Sequence, residues 1–192
     1  MIIQHLKYPF YHTIIYNYFE KIEITKITEE INSLEDKCLD LQDVHHRDLF
    51  NRSNSESYNM DALFNQRREN SETLTSLRKV FDLKLETYVD KNPILGYLPT
   101  TNADVTYVQK YRNGSFYPPH VDGSVLTFLY PIHLQEFSGG ELLFPKYDYS
   151  PHLEHNCLLI FPSYQIHKLG EIKSKHDGYV RYSINQRYYI GL

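Results

Sequence analysis

Long apolar runs are missing from this sequence. No stretch approaches the roughly 20 apolar residues that a bilayer-spanning helix needs, so no membrane segment is expected. Cysteine is scarce. Cys38 and Cys157 are the only two, too few for a disulfide framework, and a reducing cytoplasm is the expected setting. The opening Met1-Ile2-Ile3-Gln4-His5-Leu6-Lys7 has no basic segment followed by an apolar one, so no secretory signal is expected. Excess positive charge is also absent. The net charge is −4, which lowers the expectation of stable nucleic-acid binding, a property that usually needs a basic face. Tryptophan does not occur, whereas tyrosine occurs 18 times. Tyrosine favours strands and carries a polar tip, so this balance suits a β-rich chain with a half-polar pocket. Internal repeats, low-complexity tracts and βαβ alternation are lacking too, and a parallel α/β sheet is not expected.

What is present is an ordinary globular composition, 41% hydrophobic and 23% charged over 192 residues. That length fits one domain with a real core. Residues 1–103 read as a helical or irregular support and residues 104–192 as a strand-built core. Ile24, Ile27, Ile31 and Leu34 recur at helical spacing. A second helix is predicted after Asn70 or Ser71, both good N-caps, with the stripe Leu74, Leu77, Phe81, Leu85 and Tyr88. It should end before Asn92-Pro93, because proline disfavours helical geometry in the residue before it. Residues 47–70 are polar and read as a solvated loop, with a mobile substrate lid as the sharper alternative. From Asp104 the texture is of short strands between Gly, Pro and Asn turns. The expected class is mainly β with flanking α-helices, as a sandwich or jelly roll.

The chemistry begins at His120-Val121-Asp122. On a strand, residues i and i+2 point the same way, so an imidazole and a carboxylate aim at one point, about 6 to 7 Å apart along the strand. Alone the motif is weak, since His-x-Asp arises by chance in about every second such chain. His167 strengthens it. It follows the apolar run Leu158-Leu159-Ile160-Phe161-Pro162 and a turn, and in a jelly roll strands distant in sequence lie face to face. Two histidines and one carboxylate leave open positions on a metal, the donor set expected of a non-haem Fe(II) oxygenase. A structural zinc site would be closed by four ligands, commonly with thiolates.

Further on, Tyr179, Arg181, Ser183, Asn185 and Arg187 share one strand face, and Val180, Tyr182 and Ile184 the other. If the apolar face packs on the core, the polar face lines a cavity. A buried guanidinium needs an anionic partner, and a dicarboxylate such as 2-oxoglutarate would supply one. Arg181 would clamp it by a forked hydrogen-bond pair, with Ser183 as an added donor. Tyr111, at a strand end before His120, is a further candidate. The plainer alternatives are an amphipathic edge strand for Arg181 and a core tyrosine for Tyr111.

The string Tyr111-x-x-Gly114-x-x-x-x-x-His120-x-Asp122, then Gly139-Gly140-Glu141-Leu142-Leu143-Phe144-Pro145, then Leu159-x-Phe161-Pro162-Ser163-x-x-x-His167, then Arg181, resembles the 2-oxoglutarate- and Fe(II)-dependent dioxygenases of the prolyl 4-hydroxylase-like group. The resemblance runs from about Val105 to Tyr189. It implies a double-stranded β-helix (cupin-like), with His120, Asp122 and His167 as iron ligands. It implies Arg181 as the 2-oxoglutarate anchor, assisted by Tyr111 and Ser183. It also implies hydroxylation of a C–H bond using O2, with ascorbate as an accessory, on a prolyl or other peptidyl residue or a free amino acid. The spacing from His167 to Arg181 is longer than the group commonly shows, and the polar turn at residues 173–178 accounts for the excess. Asp122 argues against the halogenase branch.

Other readings compete. Arg181 and Arg187, six apart, loosely resemble the tail of nucleic-acid dealkylating dioxygenases, with the same cofactors. A cupin-like metal module without catalysis is possible in principle, because fold does not fix function. The sequence His152-Leu153-Glu154-His155 lacks the i, i+4 spacing of zinc protease motifs and reads as a solvated loop. The cluster His45-His46-Arg47-Asp48 reads as a polar surface.

Overall fold

The computed structural model describes residues 1–34, 55–133, 135–175, 178 and 180–191. Twelve strands and three α-helices are formed by these residues. The strands are β1 (Ile2–Leu6), β2 (His12–Tyr16), β3 (Ser55–Asn59), β4 (Ala103–Tyr111), β5 (Tyr117–His120), β6 (Leu126–His133), β7 (Ser138–Gly139), β8 (Leu142–Leu143), β9 (Cys157–Pro162), β10 (His167–Leu169), β11 (Ile172–Lys173) and β12 (Arg181–Tyr189). The helices are α1 (Lys21–Ser33), α2 (Met60–Leu63) and α3 (Glu72–Leu77).

A seven-stranded antiparallel sheet, ordered β1-β2-β9-β6-β12-β4-β3, carries the structure. A smaller sheet, β5-β10-β8, and the ribbon β11-β7 complete the strand set. This is a mainly β jelly roll with helices on one face, as the strand pattern predicts. Its central strands are buried on both faces, so their sequences read as apolar runs rather than alternations. In β9, Leu158 and Ile160 join the core that contains the helices, while Leu159 and Phe161 join a second core with Phe10 and Phe144. In β12, Tyr182, Ile184 and Tyr188 belong to the helix-side core. Arg181, Ser183, Asn185 and Arg187 alternate with them and are also buried.

Pro131 lies inside β6, where proline would usually remove a ladder bond. Its carbonyl accepts from Asn156 N at 3.1 Å, so its nitrogen faces the same side. On that side the β9 register has already ended at Leu129–Leu159.

The support at residues 1–103 departs from expectation. β1 and β2 extend the large sheet, and β2 reads His-Thr-Ile-Ile-Tyr with four of its five residues buried. Such a strand shows no period-2 signal. The predicted second helix is broken. Ser71 caps it, accepting from Leu74 N, but after Leu77 the chain tightens into a 3-10 segment, Arg78–Leu83. Lys84 then adopts a left-handed conformation, φ 49°. The buried side chains Leu74, Leu77 and Val80 are spaced by three, which is the 3-10 period, and Phe81 is left 44% exposed. Residues 55–70 are not a solvated loop or lid either. β3 pairs with β4 from Ser55–Tyr111 to Asn59–Tyr107, and polarity there serves internal bonds. Arg68 holds Asp61 at 2.7 Å and Asp104 at 2.7 Å, and the second Asp61 oxygen accepts from Thr106 N at 2.7 Å. Residues 47–54, Cys38, the cluster His45–His46–Arg47–Asp48 and Tyr179 lie outside the described residues. Among the described residues no helix is long and apolar enough to cross a membrane.

Helix α1 behaves as its spacing requires, burying Ile24, Ile27, Thr28 and Ile31. Ile27 is 0% exposed and Ile22 is 59% exposed. Truncating Ile27 to Ala should cost about 2 to 5 kcal/mol, and Ile22→Ala no more than about 0.5 kcal/mol. Urea denaturation of both variants checks this; equal midpoints would mean that α1 does not pack on the sheet through this face.

Candidate metal centre

Strand pairing assembles the site. β10 runs antiparallel to β5 with His167 directly opposite His120, which closes a separation of 47 residues. The two imidazole centroids lie 4.2 Å apart. Each ring is held through Nδ1 by a carbonyl two residues back: Pro118 O at 2.9 Å for His120 and Gln165 O at 2.9 Å for His167. A carbonyl only accepts, so Nδ1 carries the proton and Nε2 presents a lone pair. Asp122 closes the triangle. Its Oδ1 lies 3.7 Å from His120 Nε2 and its Oδ2 3.7 Å from His167 Nε2. One donor atom from each residue lies within 4.8 Å of the others. Ligands about 2.1 Å from a shared ion sit roughly 3 to 4 Å apart, so this donor set fits one metal.

The electrostatics agree. Burial holds both imidazoles below their ordinary pKa. His120 is pushed down further by His167, and Asp122 opposes the shift at both rings. Neutral imidazoles are the form a metal requires. Burial opposes ionisation of Asp122, but Arg187 and the two histidines outweigh it and hold the carboxyl below its usual range. Arg187 Nη2 lies 2.7 Å from Oδ1. The Thr127 hydroxyl donates to Oδ2 at 2.6 Å. Ser163 buttresses Thr127, with hydroxyls 2.8 Å apart, and accepts from Asp122 N at 3.1 Å. Asp122 thus has a charged, a hydroxyl and a backbone partner outside the triad.

Beside the triad, a narrow cavity of about 30 Å³ is lined by Tyr111, Tyr117, Gln109, Ser183 and Asn185, together with His120 and His167. The structure therefore brings Tyr111 and Ser183 to the triad. Burial pushes the Tyr111 phenol far up, and that of Tyr117 up to about 12, so both stay protonated as donors. Asn185 Oδ1 is buried without a hydrogen-bond partner. Arg181 lies at the same end of β12, opposite Tyr111 and His133. It lines an adjoining cavity of about 400 Å³, and Leu142 borders both. Its Nη1 donates to Gly140 O at 2.5 Å and its guanidinium stacks 5.4 Å from the Phe137 ring centroid.

The Gly139-Gly140 pair has a physical reason here. Both have positive φ, 71° and 66°. A Cβ on Gly139 would meet Glu171 O at 2.1 Å, and one on Gly140 would meet Arg181 Nη1 at 2.9 Å. The pair lets β7 approach β11 and lets a backbone carbonyl reach Arg181.

The rival histidine cluster is not assembled. His152 and Glu154 are exposed and 3.6 Å apart, while His155 Nδ1 accepts from His133 N at 3.2 Å. Arg187 and Thr127 are the positions whose contact with Asp122 sequence reasoning missed. Arg187 was signalled by sharing a strand face with Arg181 and by its place in the rival dealkylase resemblance, neither of which pointed to Asp122, and Thr127 by nothing.

No family model matches the chain, and no curated protein matches its sequence. Solved structures do match its fold. A Pseudomonas putida prolyl-4-hydroxylase superposes with a TM-score of 0.65 at 14% identity, covering 94% of this chain and 93% of that one. A Trichoplax adhaerens prolyl hydroxylase, solved with a peptide fragment of a hypoxia-inducible factor, gives 0.68 at 17%, with 93% and 83% covered. A viral collagen prolyl hydroxylase from Paramecium bursaria Chlorella virus-1, solved with 2-oxoglutarate, gives 0.57 at 15%, with 93% and 96% covered. At these identities the likeness establishes a shared fold.

Six described histidines have pKa values lowered in the folded chain: His5, His12, His120, His133, His155 and His167, with burial the leading cause for each. For His133 the value falls to about 4. The unfolded chain binds these protons near pH 6.5 and the folded chain does not, so their contribution is full above about pH 6.5 and is lost as pH falls toward 4. The metal-free protein should thus melt at a lower temperature at pH 5 than at pH 7. A melting temperature that rises on acidification would contradict the neutral imidazoles.

Proposed function

We propose that the chain is an Fe(II)- and 2-oxoglutarate-dependent dioxygenase of the prolyl 4-hydroxylase-like group, hydroxylating a C–H bond of a peptidyl residue. The observation that carries this reading is the convergence of His120, Asp122 and His167 within 4.8 Å, beside a cavity lined by hydroxyls and amides. Support comes from the fold shared with prolyl hydroxylases, one of them solved with 2-oxoglutarate and one with a peptide. Peptidyl proline is the preferred target within this reading, with other peptidyl residues and free amino acids after it. The whole chain acts as one catalytic domain.

His120 and His167 would hold iron through Nε2 and Asp122 through a carboxylate oxygen, leaving the remaining positions for co-substrate and oxygen. When bound, iron would let O2 act as the oxidant, one oxygen atom going to 2-oxoglutarate as it becomes succinate and carbon dioxide and the other to the substrate C–H bond. The chain's own residues bind and orient. Arg181 offers a planar fork to a distal carboxylate, and Tyr111 and Ser183 offer hydroxyl donors along the same wall. The 97% burial of Arg181 excludes water and strengthens such a contact. Together the two cavities reach the roughly 300 to 1,000 Å³ of ordinary small-molecule sites.

Anaerobic reconstitution with Fe(II), followed by 2-oxoglutarate turnover on a panel of peptides and amino acids, tests the proposal. His120→Ala and Asp122→Ala should each abolish succinate formation, and full turnover in either is incompatible with the ligand assignment. Arg181→Ala should raise the 2-oxoglutarate KM by about 10-fold or more, the scale of losing a charge-assisted bond; an unchanged KM moves the anchor elsewhere. Iron binding without any 2-oxoglutarate binding would leave only a cupin-like metal module.

A further inference from the structure

We infer that Arg187 is a positioning residue of the metal centre, fixing the plane of the Asp122 carboxylate from the far end of β12. This rests on the reading of the triad as a metal site. The cation is 96% buried, and its Nη2 lies 2.7 Å from Asp122 Oδ1. Its guanidinium carbon also sits 4.9 Å from the centroid of the Tyr107 ring, which restrains the plane of the fork. The register then adds a second hold. Arg187 lies directly opposite Thr127 across the β12–β6 ladder, and Thr127 donates to the other oxygen, Oδ2, at 2.6 Å. One carboxylate is thus gripped at both oxygens by two side chains that the sheet places side by side.

Two consequences follow. Rotation about the Asp122 Cβ–Cγ bond would break both contacts, so each oxygen keeps one set of lone pairs turned toward the imidazoles. The ion pair also balances a buried carboxylate that faces two neutral rings, which would otherwise be costly to keep charged. A lysine at this place would retain the charge but not the planar fork or the stacking.

The test uses Co(II) as a spectroscopic probe in the full chain, with folding first verified by circular dichroism and melting. Arg187→Met should weaken Co(II) binding by roughly 10- to 100-fold, the range for losing a group that orients a metal ligand, and should move the visible Co(II) absorption. Arg187→Lys should recover part of the affinity while the absorption stays displaced from that of the parent. A purely structural arginine would lower the melting temperature of the Met variant and leave its Co(II) spectrum and affinity intact. A loss under about fivefold, against the range expected for such a group, therefore overturns the inference. Should the Met variant not fold, the Lys variant decides: a spectrum superimposing on the parent's overturns it, and a displaced one upholds it. A parent protein that fails to bind Co(II) defeats the metal reading itself, whereas a binding parent with an unaffected variant defeats only the role of Arg187.

Discussion

A carboxylate taken out of water is the constraint around which this structure is organised. Asp122 is 4% exposed, and leaving such a group charged and unpaired would cost several kcal/mol. Asp122 lies two residues past the end of β5, and nothing on that strand removes the cost. The fold does so from two directions, a guanidinium from β12 and a hydroxyl from β6, while the imidazoles of β5 and β10 turn their Nε2 lone pairs toward the same point. These strands must hold their register to within one residue, because a slip of one turns every side chain to the opposite face. The chemistry of the site and the specificity of the sheet are thus one requirement.

The same logic explains why a central strand carries two arginines. β12 is flanked by β6 and β4 along both edges over nearly its whole length, and eight of its nine residues are buried, so both of its faces are covered as well. Its helix-side face is filled by Tyr182, Ile184 and Tyr188. Its other face cannot be apolar, because the triad, the Asp122 carboxylate and the cavity wall are there. Arg181 at one end is satisfied by Gly140 O and the Phe137 ring; Arg187 at the other is satisfied by Asp122. Between them Ser183 and Asn185 keep the wall polar without adding charge.

Much of this could be read from the residues. The alternation at Arg181, Ser183, Asn185 and Arg187 correctly signals a buried polar face, and His-x-Asp followed by a distant histidine correctly signals convergence. Helix α1 and the cap at Ser71 were also legible, because local spacing and local hydrogen bonding decide them. Three things were not. β2 is buried along its length, so it has no period to detect. β3 is an edge strand whose polar residues look like a loop, since its pairing uses backbone groups, and Asp61 in the helix that follows is satisfied by Arg68 and Thr106 from elsewhere in the chain. The third is the grip of Arg187 and Thr127 on Asp122. It depends on a register between β12 and β6, 60 residues apart at that pair, and no local pattern encodes it.

That distinction bears on how a fold can be shared with enzymes at 14% to 17% identity. Most of what positions the site is backbone. The carbonyls of Pro118 and Gln165 select the tautomer of each histidine, and any residue at those positions has a carbonyl. The ladder sets His167 against His120 through amides, not side chains. The apolar positions of β6 and β9 need only volume and burial, which many residues supply. Side-chain identity is demanded at few places: the three donors, a glycine pair that lets Gly140 O reach Arg181, and the partners of one buried carboxylate. Elsewhere the geometry asks for burial and volume more than for one particular side chain, whereas the hold on Asp122 asks for a guanidinium and a hydroxyl at two fixed register positions.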